Sequence, residues 1–238
     1  DTLIETGGPD AINTILRWAR SNRHDFAETC ERAGGCDGLI AQLWAVLELP
    51  EGSHAAALKQ DAMAAMPRTE VEAASHALIH EGAKTDVTRG ETIRLALTAD
   101  DPVLAFDTYL AAFFIKNGTG TRAAKLATKT ISDRFPHIMS LLEAEADRLD
   151  ALRDMIKRAD IARASAVALR IVDDFTRAYS DALEQARALD FDDLIRLAGL
   201  LLAPENPFSG WVGYKLDGQL AHALIDEAQD TAPRQWDM

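Results

Sequence analysis

Cysteine is nearly absent from these 238 residues: there are two, Cys30 and Cys36, with Gly34 and Gly35 between them. Their spacing fits no zinc signature, and two thiols are too few for a disulfide framework, so a reducing cytoplasm is the expected location. Aromatic residues are scarce at 6% and alanine is abundant, which favours helices over sheets. No apolar run approaches the ~20 residues of a membrane span. No signal peptide opens the chain either, so no membrane partner is expected. Positive charge is also in short supply. With 25 Lys and Arg against 38 Asp and Glu the net charge is −13, which argues against a chain that binds nucleic acid over its whole surface. Glycine and proline are missing from residues 138–189, so nothing in that stretch breaks a helix.

What is present reads mostly as amphipathic helix. Pro9-Asp10 precedes an apolar pattern at Ile12, Ile15, Leu16 and Ala19 and reads as a helix start. Gly34-Gly35 and Asp37-Gly38 are expected to break the next helix, before an apolar face of Leu39, Ile40, Leu43, Trp44 and Leu47. Thr69 and Glu72 fit a capping box after Pro67. Asp100-Asp101-Pro102 starts a helix whose stripe of Phe106, Tyr109, Leu110, Phe113 and Phe114 is most simply core. His76 and His80 stand one turn apart, but Ala77 replaces the Glu of a metalloprotease helix and no third ligand is evident, so surface histidines are expected. In the Gly- and Pro-free stretch, Leu149, Leu152, Ile156, Ala159, Ala162, Ala166, Leu169, Val172, Tyr179, Leu183 and Ala186 recur mostly at three- and four-residue steps. That pattern predicts one very long helix, or two in near-continuity, packed in a bundle. Asp190, Asp192 and Asp193 suit the start of another helix. Pro204, Pro207 and Gly210 then read as a loop, leading through Trp211–Asp217 to a strand that ends at Ile225. The expected fold is therefore mainly α, a helical bundle with a very long helix plus a short partial α/β return segment.

Charge is unevenly spread. Residues 1–114 hold 9 basic and 18 acidic side chains, residues 115–170 hold 11 and 7, and residues 171–238 hold 5 and 13. Only the middle segment is basic. Its densest part is Lys116, Arg122, Lys125, Lys129 and Arg134 against one acid, Asp133. If any surface meets phosphate, this is the candidate; the alternative is a solvated face beside a turn. The embedded Asn117-Gly118-Thr119-Gly120-Thr121 has the wrong spacing for a phosphate-cradling GxxxxGK[ST] loop, and it reads as a polar turn between two helices. No such loop occurs in the sequence.

The most informative stretch is Ala221-His222-Ala223-Leu224-Ile225-Asp226-Glu227-Ala228-Gln229-Asp230-Thr231. A short apolar run ends in adjacent acids, which is how a buried strand delivers carboxylates to a nucleotide-bound Mg²⁺. The first acid can hold the metal's water shell, and the second can orient or deprotonate an attacking water.

The string DEAQDT after an apolar strand resembles motif II of the UvrD/Rep-type superfamily 1 helicases. With LDFDDLI at 189–195, WVGYKLD at 211–217, HALIDEAQDTAPRQW at 222–236 and FFIKNGTGTRAAKLATK at 113–129, the chain is similar to the AddA family. Its members are helicase–nuclease subunits of the AddAB double-strand-break repair complex. The likeness is strong over 189–236, moderate over 106–189 and vague before residue 100. It implies that residues 1–188 form the helical insertion called 1B, which in related helicases contacts duplex DNA ahead of the junction. Residues 189–238 would return into the first motor domain, 1A. It further implies that Asp226 coordinates Mg²⁺, Glu227 is the catalytic base and Gln229 senses the γ-phosphate, while Asp230 and Thr231 couple the pocket to the motor.

On this reading the sequence is a fragment of an ATP-dependent DNA helicase. Mg²⁺ and ATP serve the parent protein, and neither is expected bound to a piece without a phosphate loop. The expected partners are duplex or forked DNA, held without sequence preference, and an AddB-like subunit. In the competing reading the helices are a protein-interaction scaffold that docks the partner subunit or other motor lobes. An independent metal-dependent hydrolase is disfavoured, because Asp226 and Glu227 lack further ligands.

Overall fold

A helix continues until something stops it, and between Pro136 and the Ala186–Arg187 junction nothing does. The computed structural model of the chain describes residues 2–217, with side chains from residue 10 onward. It forms one 51-residue helix there, α9 (Pro136–Ala186), about 76 Å long at 1.5 Å per residue. Proline at the first helical position costs no hydrogen bond. Arg187, with φ 50°, leaves the helical region at the far end. The expected stripe is buried at Leu149, Ala159, Ala162, Ala166 and Val172, and Ile138, Leu142 and Ala146 extend it.

Among the described residues there are eleven helices and no strand, so the mainly α expectation holds. Besides α9 these are α1 (Thr2–Ser21), α2 (Arg23–Ala33), α3 (Cys36–Val46), α4 (Ala55–Ala64), α5 (Arg68–Glu81), α6 (Lys84–Thr98), α7 (Pro102–Phe113), α8 (Lys129–Arg134), α10 (Phe191–Leu202) and α11 (Ser209–Asp217). By internal contacts they divide into two units, one of residues 1–6 and 29–170, the other of residues 7–28 and 171 onward.

In the first unit α5 packs on α6, α6 on α7 and α7 on α4. Gly90 lets α5 and α6 approach closely: a Cβ there would lie 2.8 Å from Ile79 Cγ1 and 2.9 Å from the Ser75 carbonyl. Ser75 Oγ donates to the Gly90 carbonyl at 2.8 Å. The aromatic stripe of α7 is core, with Phe106, Tyr109, Leu110, Phe113 and Phe114 all buried against Leu78, Ile93, Ile131, Leu142 and Leu149. The Tyr109 hydroxyl donates to Glu145 Oε2 at 3.1 Å. Arg148 neutralises that buried carboxylate with bonds of 2.9 and 2.7 Å and reaches the Ala62 carbonyl at 3.0 Å. Burial, then the Glu145 charge and hydrogen bond, push the Tyr109 phenol far above its usual range. Asp86, fully buried near the start of α6, accepts from the Ala83 N–H at 3.0 Å, the Thr128 N–H at 2.9 Å and the Thr128 hydroxyl.

In the second unit the acids before α10 form the expected helix start. Asp190 is the N-cap and accepts from the Asp193 N–H at 2.9 Å, while Asp193 accepts from the Asp190 N–H at 3.2 Å, a reciprocal capping box. Arg23, 3% exposed, clamps both carboxylates. It donates to Asp190 at 2.7 and 2.9 Å and lies 2.6 Å from Asp193 Oδ1. Tyr179 donates its hydroxyl to Asp190 at 3.1 Å, and its ring centroid lies 5.4 Å from the Arg23 guanidinium carbon.

Burial alone would raise the Asp190 carboxyl. The hydrogen bonds and charge of Arg23, with the Asp193 amide and Tyr179, outweigh it and hold the group below the usual carboxylate range. His24 Nε2 sits 2.9 Å from Asp193 Oδ1. Burial and the Arg23 charge nevertheless hold His24 below the usual histidine value.

Four local expectations are corrected. Gly38 lies inside α3; the break is at Gly34 and Gly35, whose φ of 84° and 104° suit glycine. Gly38 is there for space, since a Cβ would come 2.0 Å from the Ala33 carbonyl oxygen. Thr69 caps nothing: Pro67, with φ −72°, is the N-cap residue of α5 and makes no side-chain bond. α1 runs through Pro9 instead of starting there. Residues 211–217 are not loop but most of α11, entered by a turn in which Asn206 Oδ1 accepts from the Phe208 N–H at 2.9 Å. The strand expected to end at Ile225 lies outside the described residues.

Candidate nucleic-acid interface

The basic turn is a built structure. Phe114 and Arg122 form an isolated antiparallel bridge, and the connection between them, residues 115–121, is closed from within. The Ile115 N–H donates to the Thr121 carbonyl at 3.0 Å, and the Gly120 N–H donates to the Ile115 carbonyl at 2.9 Å. The Thr119 hydroxyl donates to the Lys116 carbonyl at 2.7 Å. Lys116, Asn117 and Gly118 are consecutive in the left-handed region, with φ of 52°, 52° and 88°. Only Gly118 holds that conformation without steric cost. Gly120 is required for space: a Cβ would fall 2.5 Å from Ile115 Cγ1 and 2.8 Å from the Ile115 carbonyl oxygen.

α9 supplies the anchor. The Arg153 guanidinium lies 4.2 Å from the Phe114 ring centroid, and its Nη2 donates to the carbonyls of Thr119 and Gly120 at 3.1 and 2.9 Å. Phe114 is itself buried, so Arg153 ties the turn to the core through one ring and two carbonyls. Beside it lies an open depression of about 510 Å³, bordered by Lys116, Arg122, Asp150, Arg153 and Lys157 among others.

The five basic residues singled out by sequence do not share one environment. Lys116 and Arg122 border the depression. Arg122 pairs with Asp147, whose side chain is 73% exposed. Arg134 is paired with Glu81 and stacks 5.3 Å over Phe135. Lys125 and Lys129 are exposed; neither borders the depression. Their segment is fastened by Arg89, which donates to the carbonyls of Ala112 at 2.7 Å, Lys125 at 3.1 Å and Leu126. Burial holds Arg89 below its usual value.

Sequence reasoning missed Arg153 and Lys157. They stand four residues apart on α9, one above the other, but only the tertiary fold selects them from the helix's several cations as the pair beside the turn.

Asp226, Glu227, Gln229, Asp230 and Thr231 lie outside the described residues. Among the described ones no group of three or more His, Cys, Asp or Glu could hold a metal ion. His76 and His80 are exposed with ring centroids 4.2 Å apart. Also among the described residues, no helix is long and apolar enough to cross a membrane.

A family model of the UvrD/REP helicase N-terminal domain matches residues 58–238, which include the DEAQDT string. No curated protein and no solved structure matches the chain.

Proposed function

Because the chain belongs to the UvrD/REP helicase family, we propose that it is part of an ATP-dependent DNA helicase of the AddA type. It would act in double-strand-break repair as a helicase–nuclease subunit beside an AddB-like partner. Residues 1–188 are the duplex-engaging 1B arm, and residues 189–238 return into motor domain 1A. The observation that carries this reading is the family match running through both the basic turn and the DEAQDT string.

The donor set at 226–231 suits Mg²⁺, a hard cation that prefers carboxylate oxygens and phosphates. When bound with ATP, the ion neutralises charge on the phosphates. Asp226 would hold the ion's water shell, Glu227 would serve as base toward the attacking water, and Gln229 would sense the terminal phosphate. Asp230 and Thr231 link that pocket to the motor. The phosphate-cradling loop comes from outside these residues, so the chain alone hydrolyses no ATP. Mg²⁺-dependent ATP hydrolysis by the 238 residues would overturn that assignment.

The arm is tested by fluorescence anisotropy of a labelled fork duplex at low and moderate salt. Phosphate contacts position a protein without reading sequence and release counterions. Binding should weaken steeply with salt and fall in the Lys116→Ala, Arg122→Ala, Lys125→Ala triple variant. Absence of binding at low salt favours the scaffold reading instead. One feature supports that alternative: α10 and α11 expose Leu194, Leu200, Leu201, Trp211 and Tyr214, a surface suited to another protein element.

A further inference from the structure

The turn at 115–121 and the α9 face beneath it carry more than the basic sequence stretch did. Around the depression Asp150 lies 3.4 Å from Arg153 Nη1, and Arg153 Nη2 donates to the turn carbonyls. Arg122 is matched to the exposed Asp147. That leaves two cations on the rim, Lys116 and Lys157, whose side-chain ammonium groups make no ion pair or hydrogen bond among the described residues. Both are exposed. The local surplus is therefore positive, and it is presented by a closed turn and a helix, not by mobile tails. An exposed Arg–Asp pair contributes little, so Arg122 can exchange Asp147 for a phosphate, to which its planar fork bonds in bidentate fashion.

We propose that this depression is the site at which the arm holds a phosphate of the DNA backbone. Lys116 and Lys157 supply the charge, Arg122 swings in as the third donor, and Arg153 positions the turn. Lys125, Lys129 and Arg134 are not part of it. The choice of DNA as occupant rests on the helicase reading above; the location of the contact rests on the turn–α9 geometry.

The experiment compares fork-duplex binding across a salt series for the intact 238-residue chain and three variants. These are Lys116→Ala with Lys157→Ala, Lys125→Ala with Lys129→Ala, and Arg153→Leu. Each neutralised phosphate contact lowers the slope of log affinity against log salt by about one. The first variant should therefore lose about one from the slope, the second should match the parent, and Arg153→Leu should weaken binding although the two lysines remain. Thermal unfolding confirms that the lysine variants fold as the parent does.

If the parent binds, with Lys125→Ala/Lys129→Ala weakened and Lys116→Ala/Lys157→Ala unchanged, this site is wrong while the DNA-arm reading survives. If the parent does not bind at low salt, both fall. Displacement of the fork by inorganic phosphate beyond that caused by chloride at equal ionic strength would make a free phosphate the occupant and overturn the duplex assignment.

Discussion

Arg23 on α2 and Asp190 ahead of α10 stand 167 residues apart in sequence and share two hydrogen bonds of 2.7 and 2.9 Å. One buried guanidinium thereby satisfies both carboxylates of a helix-capping box. Arg23→Leu removes their cationic partner and leaves the charges of Asp190 and Asp193 to Tyr179, His24 and the capping amides alone, at an expected cost of about 3 kcal/mol. Urea unfolding followed by circular dichroism measures it. A loss within about 0.5 kcal/mol, the scale of an ordinary surface substitution, would mean that the clamp is energetically idle.

The same clamp sets a pH dependence. His24 and Asp190 both have folded-state values below their ordinary ones. A depressed value means that the unfolded chain binds the proton more readily, so stability rises with pH across the interval between the two states. The His24 contribution is complete above about pH 6.5 and is lost as pH falls through its folded value. The Asp190 contribution persists to about pH 3.9 and disappears below it. His24→Gln should flatten the first loss and leave the second. Unfolding midpoints measured from pH 8 to 3 would separate them, and an unchanged profile in His24→Gln would remove His24 from the account.

Gly90→Ala should destabilise the α5–α6 pair by about 1–3 kcal/mol through overpacking, because one of the atoms in the way is the Ser75 backbone carbonyl, 2.9 Å from the added Cβ. The control is Gly213→Ala on α11, where a Cβ meets nothing within 4 Å and a gain in helix propensity is expected. Equal melting temperatures for the two variants would contradict the packing argument.

Among the three tyrosines, Tyr109 should stay protonated for as long as the fold survives, since burial and Glu145 both oppose its ionisation. Ultraviolet titration to high pH should show its phenolate only together with loss of helical signal. Tyr109→Phe should cost about 1 kcal/mol, one hydrogen bond to a carboxylate that Arg148 still neutralises. A phenolate signal from all three tyrosines in the folded state would show that Tyr109 is less enclosed than its burial indicates.

Much of the helical architecture was legible because it depends on local pattern. Residues 138–189 offered no Gly or Pro, and α9 fills nearly all of them. The α7 aromatics recur at helical spacing, and they form the core. Asp190 reads as a helix start and is one. What escaped notice depends on contacts distant in sequence. Nothing near Arg23 announces Asp190, and nothing near Lys116 announces Lys157. The glycines misled where two of their uses coincide: Gly34 and Gly35 serve conformation, whereas Gly38 serves close approach inside a helix. Pro204, Pro207 and Gly210 signalled a loop that ends sooner than expected: α11 begins at Ser209 and runs through Gly210 and Gly213 despite their low helix propensity. The strongest functional signal, DEAQDT, was a matter of residue order, and the family match extends through it.

The Arg153 anchor has a kinetic meaning. A loop that must order itself around its ligand gives up conformational freedom at the moment of contact and slows capture. Here three left-handed residues, two indispensable glycines and a stacked guanidinium have already ordered the turn during folding. The turn has the same backbone shape at each encounter, so on the proposed function its ordering adds no delay to capture, while release stays governed by salt. On the proposed function, a motor that must grip and let go of the duplex repeatedly as it advances needs that combination of fast seizure and easy surrender.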